Sequence, residues 1–442
     1  MNDASALAGC FLDVLNVPPV QRGDVDFVAE SATLYEGRYD VARFAASCIA
    51  TARSLGGEGQ HVKINIGEAV ETFRSERYLS IDGQPPPSLW APLSADYQDR
   101  SGRWLRIHAN FLIHAHAAAT ALGAAPEPHA FRTAVGTGDA FYLEERIVAA
   151  GGAAAVLRTQ DEWCRHPQYE QLESQPLAAF ERLTNAKAIA QVRPLRVLDL
   201  TRVIAGPVAG RVLALYGADV LAVTASSLPQ IDALVVETGF GKRSIFLDLR
   251  DADEAETFRR LVTTADVLIE SYRPGALARL GFDARACAAL NPNLVYVSIS
   301  AYGDGGPWGR RRGFDSLVQM VTGIAADGDA FAKPKPLPAQ ALDHGTGWLA
   351  AAAALAAVER TRRLGGAWHV TLSLARTANT LSSIHLQNTS QDVPKSTEVR
   401  CASMPSSFGA LNYLAPPGKI AGRRLQYTHA PPQLGSDAPK WL

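Results

Sequence analysis

The sequence predicts an α/β fold: a parallel, Rossmann-like sheet with flanking helices as a large domain, joined to a smaller α+β domain. Three observations carry this expectation. Between Ala190 and Ser300 short apolar runs alternate with helix-patterned stretches, as in successive strand–helix–strand units. The apolar runs show little polar alternation, which fits strands covered by helices on both faces. Residues 80–190 differ, with a Gly83-Gln-Pro-Pro-Pro87 linker ahead of a strand and then alanine-rich helices.

In chain order, strands are predicted at Arg196–Leu200, Asp219–Thr224, Ile245–Leu249, Val267–Glu270 and Leu294–Ser300. Helices are predicted near Pro207–Leu215, Ala252–Thr264 and Pro274–Leu280, with turns at Thr263–Asp266 and Leu290–Asn293. Upstream, Gly102–His108 reads as a strand. The proline- and glycine-rich tail after Pro394 reads as an extended return segment wrapped on a neighbour. An internal repeat sets Arg53-Ser-Leu-Gly-Gly57 and His61-Val-Lys-Ile64 against Arg362-Arg-Leu-Gly-Gly366 and His369-Val-Thr-Leu372. Each copy follows an alanine-rich helix, Val41–Ala52 and Trp348–Glu359, so each reads as helix, tight turn, strand. Four segments result: 1–79, a helix–strand piece like a partial copy of the large domain; 80–190, the small domain; 191–393, the large domain; and 394–442, the return segment.

A chain of 442 residues with 47% hydrophobic and 20% charged residues is globular, and its formal charge of −1 gives no global field for nucleic acid. Cys10, Cys48, Cys164, Cys287 and Cys401 never form a Cys-x-x-Cys pair, so reduced thiols in a cytoplasmic protein are expected. No basic segment precedes an apolar one at the start, and the longest apolar run, Trp348 to Val358, falls short of the ~20 residues of a membrane helix. No membrane partner is therefore expected.

The turn Thr201–Gly210 lacks Gly-x-Gly-x-x-Gly, which disfavours a dinucleotide site. Gly241-Lys242-Arg243-Ser244 lacks the first glycine of a nucleotide-hydrolysing loop, and no Gly-x-Ser-x-Gly elbow occurs. His114-Ala-His116 has no acidic or cysteine companion, so no metal site is predicted. What remains is Asp343, flanked by Gly345 and Gly347 at the head of an alanine-rich helix. Local sequence leaves two roles open for it: a helix N-cap, or an ionised carboxylate that attacks an activated acyl group.

The runs Val197-Leu-Asp-Leu-Thr-Arg-Val-Ile-Ala-Gly-Pro207, Tyr216-Gly-Ala-Asp-Val220, Gly241-Lys-Arg-Ser244 with Leu247-Asp-Leu249, Ala265–Gly275, Leu280-Gly281 and Leu290–Ser300 resemble the family III CoA-transferases, the CaiB/BaiF-like group that includes formyl-CoA transferases and α-methylacyl-CoA racemases. The resemblance is strong over 193–375 and falls to fold level over 28–190. It implies an enzyme in which Asp343 carries the acyl group and then CoA covalently, with Gly345 and Gly347 allowing close backbone approach. It implies CoA contacts at Val203, Ile204, Ala205, Leu247, Arg250, Ser271, Tyr272, Arg273 and Arg279, the arginines offering fixed forks to phosphates. CoA or acyl-CoA is then substrate, with no tightly bound cofactor. Thr224-Ala-Ser226 departs from the acidic–basic pair of many relatives, which bears on the adenosine end.

Racemases of the group have a histidine where this chain has Phe314 in Gly313-Phe314-Asp315, so transferase is preferred over racemase or isomerase. A CoA-binding subunit without activity is the reading from another class. The domain order departs from the family, as if two copies had been joined and trimmed. With the repeats aligned, Leu34 falls opposite Asp343, with Glu36 and Asp40 nearby, so the first copy lacks the carboxylate. The resemblance also implies a homodimer, possibly interlocked, in which one chain's small domain covers the other's site.

Overall fold

The computed structural model describes residues 4–18, 21–28, 37–189, 193–384 and 399–442. Its centre is a seven-stranded sheet ordered Arg243–Phe246, Asp219–Thr224, Arg196–Leu200, Val267–Glu270, Val295–Ser300, Trp368–Ser373 and Ala179–Arg182. The first six strands are parallel and the last is antiparallel. Numbered by appearance, the parallel strands run 3-2-1-4-5-6, a doubly wound sheet whose order reverses between Arg196–Leu200 and Val267–Glu270. Alternate residues serve opposite faces: Val197, Val267 and Ile269 join the core with helices Ala205–Leu215 and Ala341–Leu364. Leu198, Leu268 and Tyr296 join the other, with Phe258 and Cys287 from Ala252–Val262 and Ala284–Leu290.

The strand expected at Ile245–Leu249 lies two residues earlier, at Arg243–Phe246. Leu247 still donates to Thr224 O at 2.9 Å, but the Asp248 carboxylate then takes the Arg250 N–H at 3.0 Å and turns the chain. The helix expected near Pro274–Leu280 is reduced to one 3₁₀ turn, Ala278–Leu280, between Gly275 and Gly281, both at positive φ. The alanine-rich helix starts ahead of Trp348 and runs Ala341–Leu364.

The repeat is structural. Helix Val41–Gly56, strand Val62–Asn65 and helix Ile66–Thr72 repeat the element order of Ala341–Leu364, Trp368–Ser373 and Leu374–Ser382. Each strand has a parallel neighbour, and each final helix is capped by its preceding side chain, Asn65 accepting from Glu68 N and Ser373 from Arg376 N. The two long helices pack on each other. With Leu55 set against Leu364, Val41 falls opposite Ala350, so the upstream helix, of 16 residues against 24, begins seven positions after the one aligned with Asp343. Asp40 caps it, accepting from Arg43 N at 2.9 Å, while Leu34 and Glu36 lie outside the described residues.

The small domain has its own core, in which strands Ala95–Gln98, Trp104–Ile107 and Ala154–Val156 pack under helices Leu112–Leu122, Pro128–Thr137 and Ala140–Ala149. Strand Ala179–Arg182, placed by sequence before the boundary at 190, joins the edge of the large sheet. The tail forms a hairpin, Cys401–Ser406 with Gly409–Leu414, on Ser80–Ile81, then returns along its own chain's sheet edge, where Asp437 N donates to Ser244 O at 2.9 Å. Among the described residues no helix is long and apolar enough to cross a membrane.

Candidate active site

Where the strand order of a doubly wound sheet reverses, the loops leaving the two strands splay apart and open a crevice. Here those loops are Thr201–Ile204 and Ser271–Pro274. The first is pinned from below: Asp199 accepts from Thr201 N at 3.2 Å and from the Thr201 hydroxyl, and its other oxygen takes Lys242 Nζ at 2.7 Å. This ion pair is buried, and it fits only because residue 210 is glycine, since a Cβ there would lie 2.2 Å from Asp199 Oδ2. Above it Val203 is forced to φ 75, a strained conformation for a β-branched residue. The second loop is tied by Tyr272 N donating to Glu270 at 2.8 Å, and burial pushes the Glu270 carboxyl up to about 7.

Arg202 reaches from the first loop to donate to Pro229 O at 3.0 Å, and its guanidinium lies over Phe111 of the small domain and Tyr272. Arg273 and Arg312 line the same cleft. Arg312 donates to Gly151 O at 2.7 Å, and burial followed by the charges of Arg273 and Arg202 lowers its pKa. Three cations thus crowd one cleft of about 380 Å³, a setting that favours a polyanion. Arg311 also lines it, but its charge is matched by Glu144 and Glu145 at 3.0 and 2.9 Å. His114 is held down to about 4, by burial first and then by Arg312, Arg202 and Arg273.

Asp343 closes the inner end of the cleft, in the first turn of the helix Ala341–Leu364 and 8% exposed. It is not the helix cap. Asp315 Oδ2, from a separate helix, accepts both Leu342 N at 2.8 Å and Asp343 N at 2.9 Å, and its Oδ1 takes Gln319 Nε2 at 2.5 Å. Burial pushes the Asp315 carboxyl up to about 6 against these bonds. The Asp343 carboxyl is raised well above the usual range, by burial first, then by the charges of Asp315 and Glu76. The expectation of a freely ionised carboxylate is corrected accordingly: the helix terminus favours the charge, but burial and two acidic neighbours oppose it. Glu76 is buried yet held low by His344 at 3.5 Å and by Arg77.

Gly345 and Gly347 each sit where packing leaves no room for a side chain. A Cβ on Gly345 would lie 2.5 Å from the Phe44 ring of the upstream helix, and one on Gly347 would lie 2.5 Å from Ala205 O. A second cavity of about 360 Å³ meets the cleft at Asp343, and both share Val203, Ile204 and Phe314.

Of the residues expected at CoA, Val203, Ile204, Ala205, Ser271, Tyr272 and Arg273 come together in the cleft with Asp343. Leu247 is buried in the core of the opposite face, and Arg279 is exposed on the 3₁₀ turn. Arg250 bonds Asp248 at 2.8 Å and Ser227 at 3.1 Å, beside the rim residue Leu228. Thr224 is buried and takes a bond from Gln230 Nε2 at 2.9 Å. Sequence reasoning missed Arg202, although it stands inside the first motif, and Arg312, although the run Arg310-Arg-Arg312 was a signal. His114 came up only as a metal candidate; it faces the cleft, and His116 is exposed. Among the described residues no cluster of three His, Cys, Asp or Glu could hold a metal ion.

The sequence profile of CoA-transferase family III matches residues 192–413, half of the chain. The chain belongs to CoA-transferase family III. Within the family it is 34% identical over 221 residues to "Probable fatty acyl-CoA transferase Rv3272" of Mycobacterium tuberculosis, covering 45% of this chain and 55% of that protein. It is 35% identical over 199 residues to a succinate–glutarate CoA-transferase of Agrobacterium fabrum, covering 41% and 50%. Over 206 residues it is 32% identical to a formyl-CoA:oxalate CoA-transferase of Streptomyces avermitilis, covering 44% and 50%. A crystal structure of a CAIB/BAIF family protein from Brucella suis is 32% identical with a TM-score of 0.39, covering 43% of this chain and 53% of that one. The chain spans about half the length of the curated relatives it matches. The family's matched part holds the doubly wound sheet and Asp343, whereas the small domain over the cleft lies upstream of it.

Proposed function

We propose that this protein is a CoA-transferase that moves CoA from an acyl-CoA to a carboxylic acid through Asp343. The observation that carries this reading is the position of one buried carboxyl group, released from capping by Asp315, where a cationic cleft meets a second cavity. Arg202, Arg273 and Arg312 take the phosphates of CoA, and the pantetheine arm passes Val203 toward Asp343.

The chemistry runs in balanced steps. The Asp343 carboxylate attacks the thioester carbonyl, the C–S bond breaks, and an acyl-aspartyl anhydride and CoA thiolate result. The thiolate then attacks the aspartyl carbonyl, breaking the anhydride to release the first carboxylate and leave an aspartyl-CoA thioester. An acceptor carboxylate attacks that thioester, and the same two steps run in reverse to give the new acyl-CoA and free Asp343. The raised pKa makes Asp343 a stronger nucleophile once ionised, and its burial keeps water from the anhydride.

The racemase reading lacks the histidine of the Gly-His-Asp stretch, because Phe314 stands in its place with its ring stacked on His108 at 3.6 Å. The homodimer stays a proposal. The cover it was invoked to supply comes here from Phe111, Ile113 and His114 of the same chain. The cytoplasm is proposed as the compartment on the strength of cysteines that are all free. The test is to incubate the protein with an acyl-CoA, trap with hydroxylamine or borohydride, and map the modified peptide. Modification at Asp343 is expected; binding of CoA with no modification, and an Asp343→Ala variant with full turnover, would reject the mechanism.

A further inference from the structure

The second cavity at Asp343 is walled mostly by a different part of the chain from the first. Its apolar walls are Leu79, Leu89, Trp90, Ile231 and Leu234, with the run Pro85–Pro87 that reads in sequence as a linker, and Ser88, Asn110, Ser316 and Gln340 interrupt them. The wall is held in place: Asn110 Oδ1 accepts from Ala91 N at 3.0 Å and from Ser94 Oγ at 2.6 Å, and Asn110 Nδ2 donates to Leu89 O at 2.8 Å. Trp90 packs edge-on to His108, which stacks on Phe314, so an aromatic ladder runs from the outer wall to the partition beside Asp343. Burial holds His108 down to about 3, so it brings no charge to this wall at neutral pH.

Most of the charged groups at this cavity are engaged, and Arg77 is half exposed. Asp315 caps the long helix, Glu76 faces His344, and Arg77 donates to Pro338 O at 2.9 Å and lies 3.7 Å from Glu76. A formyl or acetyl group would leave most of about 360 Å³ to water. A dicarboxylic acyl group would find one guanidinium there, that of Arg77, already shared with Pro338 O and Glu76, against three in the cleft on the other side of the partition. Pockets of ~300–1,000 Å³ with mainly apolar linings suit ligands far larger than acetate.

We propose that the acyl half of the substrate is a medium-chain, apolar monocarboxylic acyl group housed in this cavity, and that residues 79–90 with Leu234 set this specificity. The inference rests on the transferase reading for the placement of the thioester at Asp343. Because the acceptor acid attacks the same aspartyl carbonyl from which the first acid departs, it occupies the same cavity and belongs to the same class.

The test compares acetyl-, succinyl- and octanoyl-CoA. Octanoyl-CoA is expected to exceed both others in kcat/KM by at least about tenfold, since each buried methylene adds to transition-state binding. Leu234→Trp, which fills the cavity, and Trp90→Ala, at an exposed position that does not endanger folding, are each expected to lower the octanoyl-to-acetyl ratio several-fold. Equal or better turnover of acetyl- or succinyl-CoA, or an unchanged ratio in both variants, would overturn the proposal. Binding of the three thioesters to Asp343→Asn by calorimetry separates this from the chemistry. If no thioester is turned over but octanoyl-CoA binds at least about tenfold tighter than acetyl-CoA, the transfer reading falls and the cavity assignment stands; turnover with no binding preference does the reverse.

Discussion

Asp315 Oδ2 accepts the backbone N–H of Asp343 at 2.9 Å across 28 residues of sequence. One carboxylate thus caps the helix whose third residue carries another, and the second is left free to face the cleft. The two charges also oppose each other, so the pair holds a carboxyl group whose ionisation is costly and whose backbone is fixed.

Replacing Asp315 separates these effects. Asp315→Asn keeps a carbonyl acceptor and removes the charge, so the acid limb of the pH profile of kcat/KM is expected to move to lower pH. Asp315→Ala removes the acceptor as well and is expected to cost about 1–2 kcal/mol of stability, measured by urea unfolding. An unmoved acid limb in the asparagine variant would contradict the coupling.

Stability should depend on Asp343 with a definite sign. Its pKa in the folded protein is raised by burial and its acidic neighbours, so the group favours the folded state most when protonated and costs stability as pH rises through its folded pKa. Asp343→Asn is neutral at every pH and is expected to melt a few degrees higher than the wild type at pH 7.5, with the gain shrinking toward pH 4. Scanning calorimetry of both proteins at the two pH values checks this.

Val203 is held at φ 75 at the junction of the cleft and the second cavity. Val203→Gly is expected to stabilise the fold by about 1 kcal/mol by relieving the backbone. It should also lower kcat/KM, because the loop is no longer confined to one conformation and the partition loses a side chain. Tm and kinetics measured on the same preparation would show whether the two move in opposite directions.

Gly345→Ala trades a helix-propensity gain of about 1 kcal/mol against a Cβ placed 2.5 Å from the Phe44 ring. Overpacking of a closed core costs about 1–3 kcal/mol, so the variant is expected to be less stable. Combined with Phe44→Leu, the loss should shrink, giving a non-zero coupling in a double-mutant cycle.

Much of the sheet was legible in the sequence because each buried parallel strand is a short apolar run between turns. The strands Arg196–Leu200, Asp219–Thr224 and Val267–Glu270 have the expected boundaries. Pro274–Leu280 misled because composition suggested a helix while Gly275 at φ 83 leaves the helical region. At the site, the two loops at the strand-order reversal were readable, since their position follows from the alternation of strands and helices. The choice among arginines was not: charge does not reveal which side chains curl into a cleft, so Arg250 and Arg279 were expected there in place of Arg202 and Arg312. The capping by Asp315 was equally hidden, because it joins two helices through a contact with no local pattern.

The small domain that lies over Asp343 is fastened to the large sheet at both ends. Ahead of it the Val41–Gly56 helix packs on the Ala341–Leu364 helix, and behind it Ala179–Arg182 pairs with Trp368–Ser373. A cover tethered in this way has an effective concentration set by its two linkages and not by how much protein is in solution. Bringing this cover to Asp343 then needs no encounter with a second chain.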